Sequence, residues 1–315
     1  MRLFRWLFAA LLPVLTLAAD AAPQRAPFVS LTRQFATFAD ETAGLPDAER
    51  VSRFRAEFGA LFPGFYRPRN GLSDADYDAR LTSALRRFPE ARPDYERVER
   101  EFPAAYAAGM RKFRGRFPDF RPTLPVYLLH SLGEMDGGTR TFGGRKHLIF
   151  GADVIARVHG PKSLEPFLDH ELFHIENGRS FVDCEPVWCS LWSEGLATYA
   201  AWVMNPGTTD RQLLLELPRP IRPAVEADWR RAFCLIHRKR NSEAEADFRL
   251  FFTGAAAPEG LPPRYGYYVG LRVLKRIGRM HSLARLARLD QQAARRVLEA
   301  EMTRMAAEAG GCGSA

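Results

Sequence analysis

Long hydrophobic runs are nearly absent from this chain of 315 residues. The longest is Leu7–Leu17, whereas a helix that crosses a bilayer needs about 20 apolar residues. This run is preceded by Arg2 and Arg5 and followed by Ala19-Asp20-Ala21, which is the pattern of a signal peptide. We therefore expect residues 1–21 to be a signal peptide and the mature chain to have no stable membrane span. The protein would be exported, either periplasmic or secreted, and an uncleaved N-terminal anchor remains the alternative.

Cysteine is also scarce, since the chain has only Cys184, Cys189, Cys234 and Cys312. Export makes disulfides possible. Cys184 and Cys189 bracket a short loop that a bridge would stiffen, although buried free thiols or a zinc-binding pair remain open. A C-x4-C spacing alone is a weak zinc signal. Cys312 lies in a glycine-rich end, so residues 310–315 are expected to form a flexible tail.

Sequence signals for nucleic-acid binding are missing, although the net charge is +8. Basic and acidic residues alternate, as in Glu96-Arg97-Val98-Glu99-Arg100-Glu101. Such mixing is typical of solvated helix faces with i,i+4 pairs. We therefore expect no nucleic-acid partner. The oligomeric state is not predicted by any feature of the chain.

The first half of the mature chain has the apolar periodicity of helices. We expect an N-terminal helical region at residues 22–121, with four helices at 28–42, 47–61, 74–88 and 93–113. Prolines that follow phenylalanine mark helix ends and starts in this region. The role of this region, whether lid, pro-segment or partner-binding module, is left open.

The sequence pattern changes near Pro122, and the residues that follow it are predicted to form strands. Thr123–Leu129 has the composition of a buried strand. Residues 139–142 and 147–150 flank Gly143-Gly144 and indicate a hairpin or a bulged edge strand. Helices are predicted again at 209–217, 223–238, 243–252, 265–279, 283–289 and 293–307. The fold class is therefore α+β, mostly α-helical, with a small β-sheet and a second region at residues 122–309.

The chemistry-bearing pattern is His170-Glu171-Leu172-Phe173-His174, an H-E-x-x-H motif. Its flanks have apolar residues at helical spacing, and residues i and i+4 share one face of a helix. His170 and His174 can therefore point two imidazoles at one metal ion, with Glu171 beside them. A run of helical character from Ser193 to Val203 carries Glu194 in its first turn, and Glu194 is the best candidate for the third ligand. Three ligands leave a tetrahedral position open for water, which is typical of catalytic zinc.

This spacing resembles that of the gluzincins, the thermolysin-like zinc peptidases. The resemblance implies a zincin-like core with His170, His174 and Glu194 as Zn2+ ligands and Glu171 as the base that activates a zinc-bound water. It also implies that a strand at residues 146–152 borders the cleft and pairs with extended substrate. The familiar N-E-x-x-S-D form is replaced by S-E-G-L-A-T, so the aspartate that orients a ligand histidine is missing from its usual place. Asp169, Asp183 and Glu185 are candidates for that role.

A second resemblance is to a bacterial family of predicted zinc-dependent proteases known only as a domain of unknown function. It rests on H-E-L-F-H, on W-S-E-G-L-A-T-Y and on the later Arg264-Tyr265-Gly266-Tyr267-Tyr268-Val269-Gly270. It implies that Tyr267 or Tyr268 could donate its phenol to an oxyanion. The expected function is an exported zinc metallopeptidase acting on a peptide or protein substrate. The alternative is a non-catalytic zinc-binding scaffold, against which the base Glu171 argues.

Overall fold

A computed structural model describes residues 27–69, 71–159, 164–254 and 256–313. The expected signal peptide at 1–21 lies outside the described residues. Within these ranges, no helix combines the length and the apolar character that a bilayer crossing demands. The mostly helical α+β class with one small sheet is confirmed.

The sheet has four strands in the order β1-β2-β4-β3. These strands are β1 (Phe28–Ser30), β2 (Val126–Leu129), β3 (Gly137–Phe142) and β4 (Arg145–Gly151). β1 and β4 both run parallel to β2, and β3 runs antiparallel to β4. The predicted hairpin is confirmed, with Gly143 and Gly144 both at positive φ, as a two-residue type I′ turn requires.

The strand expected to pair with extended substrate is not an edge strand. Residues 146–152 contribute mainly to β4, which lies inside the sheet between β2 and β3, although Lys146 lines the cleft. The edge strand on that side of the sheet is β3. A hairpin pattern gives two neighbouring strands, but which of them pairs with a third strand is decided by the remote segment β2.

Three helices follow β1: α1 (Thr32–Glu41), α2 (Asp47–Leu61) and α3 (Asp74–Arg116). The bounds of α2 agree with the sequence, whereas the helix expected from residue 28 starts at Thr32 because the preceding residues form β1. The two helices expected at 74–88 and 93–113 are one helix that continues through Pro89, Pro93 and Pro103. Each internal proline costs about 3 kcal/mol. A buried aromatic and aliphatic face along α3 outweighs that cost; it comprises Tyr77, Leu81, Leu85, Phe88, Tyr95, Val98, Phe102, Met110 and Phe113.

The N-terminal region shares its core with the rest of the chain. β1 is part of the sheet, Phe102 of α3 packs on Phe150 of β4, and Phe117, which directly follows α3, packs on Phe173 of a later helix. The expected boundary between residues 121 and 122 therefore falls inside one continuous hydrophobic core.

The second half is a helical layer against this core. It contains α4 (Ala152–Val158), α5 (Glu165–Asn177), α6 (Val187–Met204), α7 (Ile221–Ala227), α8 (Trp229–Lys239), α9 (Glu245–Phe252), α10 (Tyr265–Ile277), α11 (Leu283–Leu286) and α12 (Gln291–Glu308). The single helix expected at 223–238 is interrupted at Asp228, whose φ and ψ of −136° and 54° are not helical. The helix expected at 209–217 is absent; the segment is a series of turns, with Leu214 at φ 56°.

All four cysteines are paired, Cys184 with Cys189 and Cys234 with Cys312. The first bridge closes the loop between α5 and α6. The second attaches the chain end to α8, so the expected flexible tail is fixed to the body as far as Cys312, and residues 314–315 lie outside the described part.

Candidate metal centre

Helix α5 carries both histidines of the motif. Pro166 lies in the first turn, where its missing N–H has no helical partner to lose, and the helix ends before Gly178. His170 and His174 are one turn apart, with their Nε2 atoms 3.0 Å from each other. Leu168, Leu172 and Phe173 are buried and fix the opposite side of the helix in the core.

Glu194 approaches the two histidines from α6. Its Oε2 lies 3.4 Å from Nε2 of His170 and 3.4 Å from Nε2 of His174. The helix begins at Val187, six residues earlier than the sequence predicts, so Glu194 lies well inside it and not in its first turn. An interior position holds the carboxylate more firmly than a fraying end would.

These three atoms fit a tetrahedral zinc ion. Zn–N and Zn–O bonds of about 2.0 Å at tetrahedral angles separate neighbouring ligand atoms by about 3.3 Å. The observed separations of 3.0, 3.4 and 3.4 Å are close to that value. The chemistry of the donors, two imidazoles and one carboxylate, is also that of a catalytic zinc site with one open position.

Electrostatic coupling ties the three groups together. Burial opposes charge on His174, yet the Glu194 carboxylate raises the pKa of His174 to about 9. Burial lowers the pKa of His170 more than Glu194 raises it. Burial alone would raise the pKa of Glu194, but the facing imidazoles hold it well below its usual range. Because imidazole binds a metal only in its neutral form, a divalent cation would replace the proton of His174.

Glu171 is buried next to this set. It is 8% exposed, and a Cβ added to Gly137 of β3 would lie 3.0 Å from its carboxyl carbon. Burial raises the pKa of Glu171 to about 8, which is suited to a group that exchanges protons near neutral pH. A glycine at position 137 leaves room for Glu171 between β3 and α5.

The structure separates the two candidate tyrosines. Tyr267 faces the centre, with its ring centroid 6.4 Å from that of His170, and burial raises its pKa far above its usual range. Tyr268 is on the other side of α10, where its hydroxyl donates to Glu226. Only Tyr267 is brought to the centre, because adjacent residues on a helix point about 100° apart.

Ser193 is a contact that the sequence reasoning missed. Its Oγ lies 3.3 Å from Nδ1 of His174, the ring nitrogen that points away from Glu194. Metal-bound histidines usually have such a partner on their second nitrogen. The feature of the sequence that could have indicated this contact is the serine that directly precedes Glu194 in the W-S-E-G motif.

The carboxylates considered for this orienting role are elsewhere. Asp169 accepts hydrogen bonds from Lys112 at 2.9 Å and from Asn205 at 2.8 Å, on the face of α5 away from the centre. Neither Asp183 nor Glu185 has a hydrogen bond to a ligand histidine among the described contacts. The hydroxyl of Ser193 can therefore orient His174, a role that was expected of a carboxylate.

The remaining histidines do not join the centre. His159 lies behind it, with Nε2 3.2 Å from Oδ2 of Asp136 and its ring against Phe167. His147 packs among aromatic rings near Phe62 and Phe142. None of the described histidines other than His170 and His174 lines the cleft described next.

A cleft of about 700 Å³ opens over the centre. Edge strand β3 forms one wall, from Gly137 to Arg140, and the loop between α6 and α7 forms another at Gln212–Leu214. His170, Glu171, His174, Glu194 and Tyr267 all contribute to its lining. The cleft is large enough for several residues of an extended peptide.

Close packing of α6 on α10 places Glu194 and Tyr267 together. A Cβ on Gly195 would lie 2.7 Å from Cα of Gly270, so the two backbones touch at this point. Glu194 precedes one of these glycines by a residue, and Tyr267 precedes the other by three. The glycines therefore set the separation of a ligand and a candidate oxyanion donor.

Comparisons with known proteins give no match: no family model, no curated protein and no solved structure is significantly similar to this chain.

Proposed function

We propose that this protein is an exported zinc-dependent metallopeptidase with a zincin-like, gluzincin-like core. The observation that carries the proposal is the triangle formed by His170, His174 and Glu194, 3.0 to 3.4 Å on its edges, at the base of a cleft beside buried Glu171. A binding site for structure alone has no use for a buried carboxyl group next to its ligands.

His170, His174 and Glu194 would hold the ion, and Ser193 would orient His174 through Nδ1. When bound, zinc supplies Lewis acidity and lowers the pKa of a coordinated water toward about 7. The remaining chemistry belongs to side chains of this chain.

Glu171 is the proton carrier in this proposal. Its carboxylate takes a proton from the attacking water and later gives it to the leaving amine of the peptide bond. Its burial against β3 raises its pKa, which makes the protonated form that later donates to the amine easier to reach than for an exposed carboxylate.

Tyr267 is the proposed oxyanion donor. The raised pKa keeps its phenol protonated at all ordinary pH values, so its O–H is available to donate to the oxygen that becomes negative. Arg264 lies over the Tyr267 ring at 4.7 Å and adds positive charge on that side.

Strand β3 offers the substrate a backbone partner. It is the edge of the sheet, so its outer N–H and C=O groups can pair with an extended peptide, and Gly137–Arg140 line the cleft. Substrate binding in this mode depends on main-chain contacts and accepts varied side chains.

Export is proposed from the N-terminal sequence and from the cysteine pairing. Both disulfides are of the kind that persists in oxidising compartments. A periplasmic or secreted location follows.

The test measures bound zinc and peptide hydrolysis for the full mature chain and for Glu171→Gln. Wild type should bind a single zinc ion and hydrolyse casein or a mixed peptide pool. Glu171→Gln should keep the zinc and lose about 10²- to 10⁴-fold in rate, the usual contribution of a general base.

Glu165→Gln, an exposed change on the same helix α5, is the matched control and should retain both properties. His174→Ala should lose zinc as well as hydrolysis. Tight zinc binding without hydrolysis in the wild type would instead identify a zinc-binding scaffold, and equal hydrolysis by wild type and Glu171→Gln would eliminate the proposed base.

A further inference from the structure

The walls of the cleft carry more basic side chains than its floor, where the metal-binding residues lie. Among the residues that the structure describes, three acidic side chains line the cleft: Asp136, Glu171 and Glu194. Five basic side chains of the same described residues line it: Arg121, Arg140, Lys146, Arg179 and Arg264.

The acidic groups already have roles. Glu171 and Glu194 belong to the centre, and Asp136 pairs with His159 at 3.2 Å. Of the basic groups, Arg179 pairs with Glu176 at 3.0 Å. The other four form no ion pair with a carboxylate of the described residues, although Arg264 interacts at longer range with Asp136, so the charge they present to the cleft is only partly balanced.

Backbone carbonyls hold the arginines in place without neutralising them. Nη1 of Arg121 donates to the carbonyl of Phe120 at 2.9 Å, and Nη1 of Arg140 donates to its neighbour Thr139 at 3.0 Å. Arg264 donates to carbonyls in the loop between α6 and α7. Since a guanidinium carries five N–H donors, several remain for an incoming acceptor.

Two of these cations are close to the reacting groups. Arg264 covers the ring of Tyr267, which itself stacks on His170. Arg140 lies three residues along β3 from Gly137, which abuts Glu171, and it lines the same cleft as Glu171. A carboxylate bound to either cation would therefore lie near the candidate centre.

We propose that the cleft selects ligands that carry carboxylates, through Arg121, Arg140, Lys146 and Arg264. That the ligand is a polypeptide rests on the proposed function. The carboxylate can come from aspartate or glutamate side chains, which fits an endopeptidase, or from a free C-terminus, which fits a carboxypeptidase.

The first experiment measures binding by fluorescence anisotropy on zinc-loaded Glu171→Gln. The probes are a rhodamine-labelled, C-terminally amidated peptide of alternating glutamate and alanine, and its glutamine counterpart. The glutamate peptide should bind about tenfold more tightly at low salt, since several partly exposed charge pairs contribute modestly. The difference should shrink in 1 M salt, where the Debye length is about 3 Å. Equal binding of both peptides would overturn the proposal.

Matched variants locate the effect. Arg140→Gln and Lys146→Gln should each reduce the preference about threefold. Arg145→Gln removes the same charge from the neighbouring residue of β4, which is exposed but does not line the cleft, and should leave the preference unchanged. If Arg145→Gln reduces it as much as Lys146→Gln does, the preference reflects the overall charge and the proposal is wrong.

The same peptides separate this inference from the peptidase itself. If the wild type cuts neither of these peptides, nor casein, nor the mixed pool, while the mapped binding preference persists, the peptidase proposal fails and the carboxylate site stands. If it cuts both equally and binds both equally, the peptidase stands and this inference fails. A glutamine peptide with a free C-terminus that binds as tightly as the glutamate peptide would identify the terminal carboxylate as the feature recognised.

Discussion

Single residues set most of the candidate centre, and their geometry follows from helix rules. His170 and His174 meet because one helical turn separates them, and that relation is contained in the sequence. Glu194 meets them because α6 packs directly beside α5, which the spacing in the sequence does not specify. The choice between Tyr267 and Tyr268 depends on the rotation of α10, which is set by remote packing.

The clearest test at this scale compares those two tyrosines. Tyr267→Phe should lower kcat by about 10²-fold, because an oxyanion donor contributes that much or more, while zinc content stays the same. Tyr268→Phe removes the hydroxyl that donates to Glu226 and should change stability but not kcat. Steady-state kinetics and metal analysis of both variants check this. Equal rates for wild type and Tyr267→Phe would remove the tyrosine from the mechanism.

A buried histidine outside the centre should make stability depend on pH. His130 is 5% exposed, stacks on Phe35 at 3.8 Å and accepts a hydrogen bond from the Leu132 N–H. Burial lowers its pKa, assisted by Arg87, and Asp153 opposes this only in part. The unfolded chain therefore binds more protons than the folded one as pH falls below about 6.5. Stability should decline there by at most about 1.4 kcal/mol per pH unit from this group.

Urea unfolding between pH 8 and pH 5 measures this dependence. His130→Asn keeps an acceptor for Leu132 but cannot be protonated in this range, so its stability should fall less steeply than that of the wild type. Parallel curves for the two proteins would show that His130 is not the group responsible.

At the scale of elements, the contact of α6 with α10 determines whether the centre is assembled. Gly195→Ala adds a Cβ that would lie 2.7 Å from Gly270 Cα, in contact with backbone that cannot move aside cheaply. We expect a loss of about 1–3 kcal/mol, as for other overpacked sites, and a drop in kcat because Tyr267 is displaced from the centre.

The control is Gly59→Ala in α2, where an added Cβ meets nothing within 4 Å. Alanine is favoured over glycine inside a helix by about 0.5–1 kcal/mol, so this variant should be slightly stabilised with unchanged activity. Denaturant unfolding and kinetics of both variants test the pair. A Gly195→Ala protein as stable and active as Gly59→Ala would show that the two helices do not need this close approach.

Elements were predictable from the sequence where local pattern and tertiary packing agree. The bounds of α2 follow from its apolar periodicity, and the β3–β4 hairpin follows from the Gly143-Gly144 turn. The helix break expected at Pro89 and Pro93 does not occur, because the free energy gained by burying the apolar face of α3 outweighs the cost of the prolines inside the helix. β1 has only three residues, too few for a periodic signal, and its place in the sheet depends on pairing with β2 across almost a hundred residues of chain.

The cationic walls of the cleft were also beyond the reach of the sequence. Arg121, Arg140, Lys146 and Arg264 come from separate segments, and each looks like an ordinary surface charge in its local context. Only the tertiary fold shows that they face one cavity and that none of them forms an ion pair with a described carboxylate.

At the scale of the whole molecule, the helical region before residue 122 is part of the structure that supports the centre. Lys112 of α3 binds Asp169, the residue next to His170, at 2.9 Å. Phe117 packs on Phe173 of the same ligand helix. The C-terminal end is fixed as well, by the bridge from Cys234 to Cys312. An independent lid or a removable pro-segment would not bury so much of α5.

Truncation tests this directly. A chain starting at residue 122 loses β1 from the sheet and the α3 face from the core, and it leaves Asp169 buried without the ammonium of Lys112. Breaking a buried ion pair by removing one partner costs about 3–5 kcal/mol, or less where one partner is partly exposed as Lys112 is, and native stability totals only about 5–15 kcal/mol. The fragment should therefore show no cooperative thermal transition in near-UV circular dichroism and no tight zinc binding, whereas a chain starting at residue 27 should show both. A fragment from residue 122 that melts cooperatively and binds zinc as tightly as the longer chain would show that the catalytic region folds alone, and that the first helices have a separate role.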